Sequence, residues 1–564
     1  MGDLSVEVPS SSSPKGWRNS NAVEWFDEVG MEARTAHIAA AEARKRLCRG
    51  RPLIGPALEM SCWRGRKHGK YACDSSDYID TERCLKKAFL ADWSHTTGGQ
   101  VLEADMKGRA FGVREGQVSK EIIEDIMDGL FEHYPMILRV FTYYSCIGSE
   151  TSGVVYGIGR AGYTRMINDA RLDALDINDA GRRSPSGDRK VARHAKLRGE
   201  DGFDLLWATV NTTSTTKNKN QSSTNSKERL ARSEFLEWLV RAATDELPPK
   251  DFGQNVRWLC EDMGYFLGLH ENAALIFTNT NWFRLDACYL DEVNMVLTRH
   301  QQTLRSIFDV YAAATGVGGD VAERADLMNY EEWSLLWSTL GFTRELSDRK
   351  VGTIFSNSRM MVINEYSKSG KSVQLERLPF EGFLEAMVRV ADVKILPLED
   401  EVRESGYKYP GEYLHSLRPD GQLELYKAWA VKTKRARDQE DVSDPIWSRL
   451  EYLILIIVFV MQQGTQASHC ATGVKADTGL RTRASDDIAL STTEVNKYLK
   501  NPKPNLLGTT EIETTGCNLH SETIAQARVE KKLRKHSQGR ISMSPWTLQQ
   551  QSPLSPLTLP QQSP

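Results

Sequence analysis

The chain has 564 residues, of which 40% are hydrophobic and 26% are charged, and its formal net charge is −3. At ~150 residues per domain this length allows roughly three or four domains, and the charge excludes the basic excess that is typical of nucleic-acid-binding proteins. The cysteines form no C-x-x-C pair and the first residues have no apolar signal core, so we expect a cytoplasmic protein with reduced thiols and no nucleic-acid partner.

The first two segments of the chain differ in composition. Residues 1–22 are rich in Ser and Pro and are predicted to be disordered. Residues 23–50 have the Ala, Glu and Arg content of a helix with a basic end. Such a charge run is more typical of a solvated helix face than of a site for calmodulin or another acidic partner.

The next segment, residues 51–118, contains Cys62, His68, Cys73 and Cys84. These residue types are common zinc ligands, but structural zinc sites usually bring their thiolates as close C-x₂₋₄-C pairs. The wide spacing here favours partly buried thiols without a metal.

From Ser119 to about Ala430 the apolar residues follow a helical period. Within this region the stretch "GVVYGIGRAGYTR" contains G-x-G-x-x-G at Gly157, Gly159 and Gly162. A dinucleotide-binding motif of this kind lies between a strand and a helix and is followed by another strand. The residues that follow here predict no second strand, so we interpret the three residues as loop glycines.

A repeated sequence explains this stretch better. The sequences "FLEWLVRAA" at Phe235–Ala243 and "FLEAMVRVA" at Phe383–Ala391 are identical at six of nine positions. In each copy the Phe lies five residues after an aliphatic residue, and this step from an aliphatic to an aromatic residue occurs four times behind an apolar helix face. The four steps run from Ile158 to Tyr163, from Leu230 to Phe235, from Met328 to Trp333 and from Leu378 to Phe383.

The layout of each copy is that of an EF-hand, in which an apolar helix leads through a loop and an aliphatic residue into a second helix that opens on an aromatic residue. The aliphatic residue is expected to pair with its equivalent in the partner loop. Because units two and four share their sequence, we predict two lobes of paired units, residues 119–246 and 251–396, separated by prolines that disfavour helix. Residues 211–226 contain no apolar residue and are predicted to be a disordered loop of the first lobe.

EF-hands pair because a single unit leaves apolar helix faces exposed. We therefore expect the aromatic residues of each lobe to be buried. We predict that Trp207 packs on Phe235 in the first lobe and that Phe355 packs on Phe383 in the second.

Calcium coordination depends on a bidentate glutamate at loop position 12. Glu234 and Glu332 occupy this position in units two and three, whereas units one and four have Gly162 and Gly382. The loops are also long, because 22 to 28 residues separate the entering and exit aromatic residues, against ~16 in a standard hand. We therefore expect mostly degenerate loops, with Glu234 and Glu332 as the calcium candidates.

One other stretch has a partial calcium-loop pattern. Asp176–Gly181 offers Asp, Asn and Gly at positions 1, 3 and 6, but Arg183 and Gly187 then fall at positions 8 and 12. A polar turn stabilised by Asx hydrogen bonds is favoured there.

Several of these stretches resemble a known family. They are "GYTRMINDARL" at Gly162–Leu172, "FLEWLVRAA" at Phe235–Ala243, "NWFRLDACYLDEVNMVL" at Asn281–Leu297 and "FLEAMVRVAD" at Phe383–Asp392. The chain resembles, from about Ser119 to Tyr409, the degenerate EF-hand-like proteins of flagellated and ciliated protists. This resemblance implies a mainly α fold of paired EF-hand-like helices, calcium binding as the usual label, and a ciliary, flagellar or cytoskeletal setting.

The C-terminal third of the chain divides into three segments. Residues 397–445 continue the helical pattern, and residues 446–463 are the most apolar of the chain. The run "LEYLILIIVFVM" has 12 residues against the ~20 that span a bilayer, so we expect a buried helix or strand, or a partner-binding segment, and not an integral membrane anchor. Residues 464–564 are rich in Ser, Thr, Gln and Pro and are predicted to be a disordered tail. A mis-assigned exon would produce the same abrupt change in composition.

These features favour a non-catalytic helical scaffold that holds partner helices by their apolar faces in grooves between its own helices. The alternative is a calcium sensor with one or two weak sites at Glu234 or Glu332. An enzyme is disfavoured, because His270 and His300 lie on helical patterns without a neighbouring nucleophile, and no H-E-x-x-H, G-x-S-x-G or P-loop motif occurs. We expect no cofactor other than weakly bound calcium.

Overall fold

A computed structural model of the chain describes residues 50–97, 120–148, 155–172, 202–217, 228–244, 252–314, 326–342, 345–366, 370–418, 424–438, 444–470 and 489–503. These residues form a mainly α protein, as predicted. The predicted disordered segment 1–22, almost all of the predicted basic helix 23–50 and most of the predicted tail 464–564 lie outside the described residues.

Helices dominate the first half of the described chain. In chain order its elements are α1 (Pro56–Glu59), α2 (Gly65–His68), α3 (Glu82–Thr97), α4 (Lys120–Ser145), β1 (Ile158–Gly159), α5 (Arg160–Asp169), α6 (Gly202–Lys217), β2 (Arg229–Leu230), α7 (Arg232–Thr244) and α8 (Phe252–Gly268).

The second half is built in the same way. Its elements are α9 (Ala273–Ile276), α10 (Thr280–Phe283), the π-helical turn Arg284–Cys288, α11 (Asp291–Arg299), α12 (Gln301–Ala312), β3 (Met328–Asn329), α13 (Tyr330–Thr339), α14 (Asp348–Asn357), the 3₁₀ helix Gly370–Leu375, β4 (Arg377–Leu378), α15 (Phe380–Val393), α16 (Glu399–Glu404), α17 (Pro410–Ser416), α18 (Glu424–Asp438), α19 (Ile446–Cys470) and α20 (Thr492–Lys500).

The strands form two very short antiparallel ladders. In one, β1 pairs with β2 and Ile158 lies opposite Leu230. In the other, β3 pairs with β4 and Met328 lies opposite Leu378. These are the four aliphatic residues of the sequence repeat, and their expected pairing across loops is confirmed. All four side chains are fully buried, which explains why an aliphatic residue stands at each of these positions.

The buried apolar side chains form two clusters. The first core takes its residues from between Ala88 and Ile276. The second core takes most of its residues from between Ala287 and Tyr498. The predicted boundary between lobes, at residues 246–251, differs from this division, because α8 packs along α4 and α7 and belongs to the first core.

The aromatic residues cross between paired units. We call α4, α6, α12 and α14 the entering helices and α5, α7, α13 and α15 the exit helices. The rings at the start of the exit helices contact the entering helix of the partner unit. The ring centroids are 4.7 Å apart for Tyr163–Trp207, 6.0 Å for Phe141–Phe235, 5.5 Å for Phe308–Phe383 and 5.7 Å for Tyr330–Phe355. The predicted ring packing within a unit, Trp207 on Phe235 and Phe355 on Phe383, is therefore wrong, since pairing of the loops brings each exit helix against the neighbouring unit.

The predicted disordered loop 211–226 begins later than expected. Residues 211–217 continue α6, and Asn211 is buried. Thr and Ser are only moderately unfavourable in a helix. The helix therefore continues past its last apolar residue. The rest of that segment, residues 218–226, lies outside the described residues.

The apolar segment 446–463 forms the first part of α19, which packs against α11, α15, α17 and α20. Its buried residues include Leu450, Leu453 and Ile457. The helix is long and apolar enough to cross a membrane by length and composition, with a mean hydropathy of 1.4 over Ile446–Gln463, but 56% of that window is buried inside the protein. The apolar character is therefore accounted for by burial in the second core, as the buried-helix interpretation expects.

Part of the predicted disordered tail is ordered. α19 continues to Cys470, and α20 lies within residues 489–503. Leu490, Val495 and Tyr498 are fully buried in the second core. The spacing of Val495 and Tyr498 places them on one face of the short helix, where they pack against the rest of the protein.

Candidate functional site

The two candidate calcium residues lie in the first turn of an exit helix, and both are buried. A carboxylate oxygen of Glu332 accepts a hydrogen bond of 2.8 Å from the Asn329 backbone N–H. The Asn329 side chain accepts one of 2.8 Å from the Glu332 N–H, which completes a capping box. Glu234 likewise accepts a hydrogen bond of 2.8 Å from the Ala231 N–H. Both carboxylates therefore cap the helix that they begin.

The sequence before each glutamate supplies only some of the other calcium ligands. Side-chain oxygens are needed at loop positions 1, 3 and 5. Counted back from position 12, these positions hold Val321, Glu323 and Ala325 before Glu332, and Ser223, Asn225 and Lys227 before Glu234. Within the described part of the chain, no group of three or more His, Cys, Asp or Glu residues is placed to hold a metal ion. The weaker candidate loop at Asp176–Gly181 lies outside the described residues.

Units one and four have glycine at position 12. A Cβ atom on Gly162 would lie 2.2 Å from the backbone carbonyl oxygen of Tyr144. The end of α4 therefore contacts the start of α5 directly, and no side chain fits at this position. The G-x-G-x-x-G stretch contains β1, which pairs antiparallel with β2 and leads into α5. This is not the parallel strand–helix–strand unit that binds a dinucleotide.

An arginine lies between the loops of units one and four. The guanidinium of Arg359 donates hydrogen bonds to the backbone carbonyl oxygens of Val155 at 3.1 Å, Ser356 at 3.4 Å and Leu375. Counted back from Gly162 and Gly382, Val155 and Leu375 both fall at loop position 5. Burial lowers the pKa of Arg359. The cationic side chain of Arg359 thus contacts the loop backbone at position 5, where a calcium-binding EF-hand has a calcium ligand.

A buried charge cluster surrounds Glu385 on α15, whose side chain is fully buried. Its carboxylate accepts hydrogen bonds from Arg284 at 3.0 Å, from Arg389 at 2.9 Å and from Arg66. Arg284 also donates to Asp80 at 2.7 Å. Burial alone would raise the pKa of Glu385, but the neighbouring guanidinium groups of Arg284, Arg66 and Arg389 outweigh it and lower the pKa to about 2.

The repeat predicts only part of this cluster. Glu385 and Arg389 are four residues apart, and the equivalent Glu237 accepts from Arg241 at 2.9 Å in α7. Sequence reasoning missed Arg66 and Arg284, because they lie 319 and 101 residues from Glu385 along the chain. No local pattern marks either residue.

Each of the two histidines on the helical patterns lies beside a carboxylate. His270 lies 3.4 Å from Asp169, and His300 lies 3.7 Å from Glu451. Burial raises the pKa of the Cys62 and Cys84 thiols to about 12, so both remain protonated and weakly nucleophilic at neutral pH.

Two small cavities lie at the loop ends of the paired units. One, of about 10 Å³, includes Arg359 and Gly382 in its lining. The other, of about 20 Å³, includes Tyr156 and Arg229. Each has room for roughly one or two water molecules, far below the ~300–1,000 Å³ of a typical small-molecule site.

Comparison of the chain with models of known protein families, with curated proteins and with solved structures gave no match.

Proposed function

We propose that the protein is a non-catalytic helical scaffold built from two pairs of EF-hand-like units, in which helix packing replaces bound calcium as the stabilising element. The observation that carries this proposal is the pairing of Ile158 with Leu230 and of Met328 with Leu378. Paired loops joined by a short antiparallel ladder are the hallmark of EF-hand pairs. The capping role of Glu234 and Glu332 supports the loss of calcium coordination.

Helices from outside the predicted units support a scaffold of fixed shape. In the first core, α8 packs along α4 and α7, the outer helices of the first pair. In the second core, α19 packs on α15 and α20 packs on α12, the corresponding helices of the second pair. In each pair, the helices that would form a partner-binding groove are thus already covered by another helix of the same chain. A partner helix would bind by displacing such a segment, and α20, with nine residues, is the shortest of the three.

The cellular setting belongs to the same proposal. The four stretches that resemble the EF-hand-like proteins of flagellated and ciliated protists support a place in a ciliary, flagellar or cytoskeletal assembly. Proximity labelling in the source cell tests this setting, and we expect axonemal or cytoskeletal proteins among the labelled neighbours. Labelling confined to membrane-bounded organelles would contradict it.

Calcium titration tests the metal-independent form of the proposal. We expect isothermal titration calorimetry of the full chain to show no saturable heat of calcium binding from micromolar to millimolar concentrations. The melting temperature should also be the same with calcium and with a chelator, because a ligand that binds the native state would raise it. A saturable heat, or a calcium-dependent rise in melting temperature, would disprove the loss of coordination.

A calcium sensor is the second candidate, because Glu234 and Glu332 are buried at the start of an exit helix, immediately after the paired strands. This reading predicts that Glu332→Gln abolishes a calcium-dependent rise in melting temperature, while the control Glu331→Gln, at an exposed neighbour, retains it. We expect no rise in either variant. Both should fold with a stability change below about 1 kcal/mol, since Gln also accepts the capping hydrogen bond.

A further inference from the structure

The short helix α20 packs against both α12 and α19, and we call the surface of these two helices beneath it the α20 groove. The nine residues of α20 are too few for a stable isolated helix, so its helical form depends on the surface that it covers. The side chains of Leu490, Val495 and Tyr498 are buried, whereas the other residues of the helix are exposed or half-buried. One face of a short helix therefore makes the contact, as when a groove binds an amphipathic peptide helix.

Hydrogen bonds hold both ends of this segment. The Leu490 N–H donates to the Thr303 hydroxyl of α12 at 3.1 Å. At the other end, the Tyr498 hydroxyl donates to the Thr339 carbonyl oxygen, in the last turn of α13, at 2.6 Å. The Thr339 hydroxyl is itself hydrogen-bonded to Tyr311 of α12 at 2.7 Å. The α20 groove thus binds its helix through an apolar middle and a polar contact at each end.

The three helices that cover the EF-hand-like pairs differ in how much of each is buried. In α8, nine of the 17 residues are buried. α19 has 25 residues and packs against α11, α15 and α17 as well as α20. In α20, only Val495 and Tyr498 are buried. Because α20 has the fewest buried residues of its own, it is the covering helix that a competing helix replaces at the lowest cost.

We propose that the α20 groove is a binding site for an amphipathic helix of a partner protein, and that α20 occupies it in the isolated chain as a tethered competitor. The partner helix is expected to have an aliphatic residue, a second one five positions later and a tyrosine three positions after that, which is the spacing of Leu490, Val495 and Tyr498. The partner binds only when α20 leaves, so its apparent affinity is lowered by the fraction of occupied grooves. This inference rests on the proposed scaffold function and names the groove and the kind of helix that it holds.

Fluorescence anisotropy with a labelled peptide of residues 489–503 tests the site on the full chain. Val495→Asp places a charge on the inner face of α20 and should release it, so the peptide should bind this variant roughly tenfold or more tightly than the unmodified protein. Asn496→Asp is the matched control, because it adds the same charge at an exposed position of α20, and it should bind the peptide as weakly as the unmodified protein. Equal peptide affinity of the two folded variants, or no binding to either, would overturn the proposal.

A second pair of peptides tests the expected inner face. Tyr498→Ala in the peptide should weaken its binding to the Val495→Asp protein by roughly tenfold or more, because the ring and its hydrogen bond to Thr339 are lost. Asn496→Ala in the peptide, at an exposed position, should leave binding unchanged. Equal losses for the two peptides would overturn the recognition pattern.

Hydrogen–deuterium exchange on the unmodified protein gives a test that does not depend on how the variants fold. A ligand tethered in the same chain competes at an effective concentration of up to about millimolar, so isotopically labelled peptide above that concentration should displace α20. We expect faster amide exchange in α20 and unchanged exchange in α8. Unchanged exchange in α20 would contradict its displacement.

Two further outcomes separate this proposal from its neighbours. A concentration-dependent dimer of the unmodified protein that Val495→Asp abolishes would place α20 in the groove of a second copy, and would overturn its role as a competitor within one chain. Failure of the peptide to bind, together with the absence of a calcium-binding heat, would remove this site and leave the proposed scaffold function in place. Peptide binding together with saturable calcium binding would retain the site and remove the metal-independent scaffold.

Discussion

Glu385 shows how one residue ties distant segments together. Its carboxylate contacts Arg66 from the N-terminal segment, Arg284 from the π-helical turn and Arg389 from its own helix. Because all four side chains are buried, the charges exist in the folded protein only as a set. Removing one member leaves the others without compensation, which is far more destabilising than losing an exposed ion pair.

We predict that Glu385→Gln lowers the free energy of unfolding by about 3–5 kcal/mol, since it leaves buried guanidinium groups without a counter-charge. Urea unfolding of the full chain measures this change. Asp309→Asn is the matched control, because Asp309 pairs with Arg305 at a half-exposed position on α12. The control should lose less than about 1 kcal/mol. Similar losses in the two variants would contradict the special role of the buried cluster.

The same residue predicts a dependence of stability on pH. The pKa of Glu385 is about 2 in the folded protein, against an ordinary value of 4.5. A carboxyl group with a lowered folded-state pKa stabilises the protein fully above its unfolded value, and this stabilisation, roughly 3 kcal/mol, is lost as the pH falls from about 4.5 to about 2. Between pH values of about 5 and 3, the unfolding free energy of the unmodified protein should fall more steeply than that of Glu385→Gln. Parallel pH profiles would show that Glu385 is not the group responsible.

At the scale of single elements, short helices depend on specific docking contacts. α20 has nine residues, too few for a stable isolated helix. Its N-terminus has a capping box formed by Ser491 and Glu494. Its tertiary contacts include a hydrogen bond of 2.6 Å from the Tyr498 hydroxyl to the Thr339 carbonyl oxygen, and one of 3.1 Å to the Thr303 hydroxyl from the Leu490 N–H. Burial of Tyr498 is therefore one of the tertiary contacts that support this helix.

We predict that Tyr498→Ala lowers the free energy of unfolding by ~3–5 kcal/mol, as expected for truncation of a fully buried aromatic residue. Chemical denaturation followed by tryptophan fluorescence measures the change. Tyr407, which is 39% exposed, provides the control, and Tyr407→Ala should have a much smaller effect. If the two variants were equally stable, α20 would not be docked as the structure shows.

At the scale of the whole molecule, buried polar contacts connect the first core with the segment that follows α14. The Arg232 guanidinium at the start of α7 donates to Asp92 at 2.9 Å and to the carbonyl oxygen of Val362 at 3.1 Å, and its backbone N–H donates to Glu365 at 3.2 Å. Cys146 at the end of α4 contacts the Ser356 hydroxyl at 3.2 Å. Because these contacts are buried, the two cores are expected to unfold together.

We predict a single calorimetric unfolding transition for the unmodified protein and two transitions for Arg232→Met. The substitution removes the guanidinium contacts with the segment after α14 and leaves the buried Asp92 carboxylate without its counter-charge. Arg403→Gln, at an exposed position, should retain the single transition. Two transitions in the unmodified protein would show that the cores are not coupled through these contacts.

The sequence by itself determined the helical class and the four aliphatic residues that pair across the short ladders. Ile158, Leu230, Met328 and Leu378 were identifiable because each stands at a fixed distance from an aromatic residue of the following helix. Such spacing depends only on the period of the local backbone, which is 3.6 residues per turn in a helix and 2 in a strand. Such spacing can therefore be recognised from the sequence alone.

Only the tertiary structure decided which apolar helix faces pack against each other and which buried charges form pairs. The helical period of α8 and the apolar content of α19 show that each helix has an apolar face to bury. The sequence does not show which other helices cover that face, because many apolar faces in the chain could do so. The same holds for Glu385, whose partners Arg66 and Arg284 lie 319 and 101 residues away along the chain, where no local sequence pattern marks them. Burial and charge compensation are properties of the packed chain, because they depend on distances that exist only after folding.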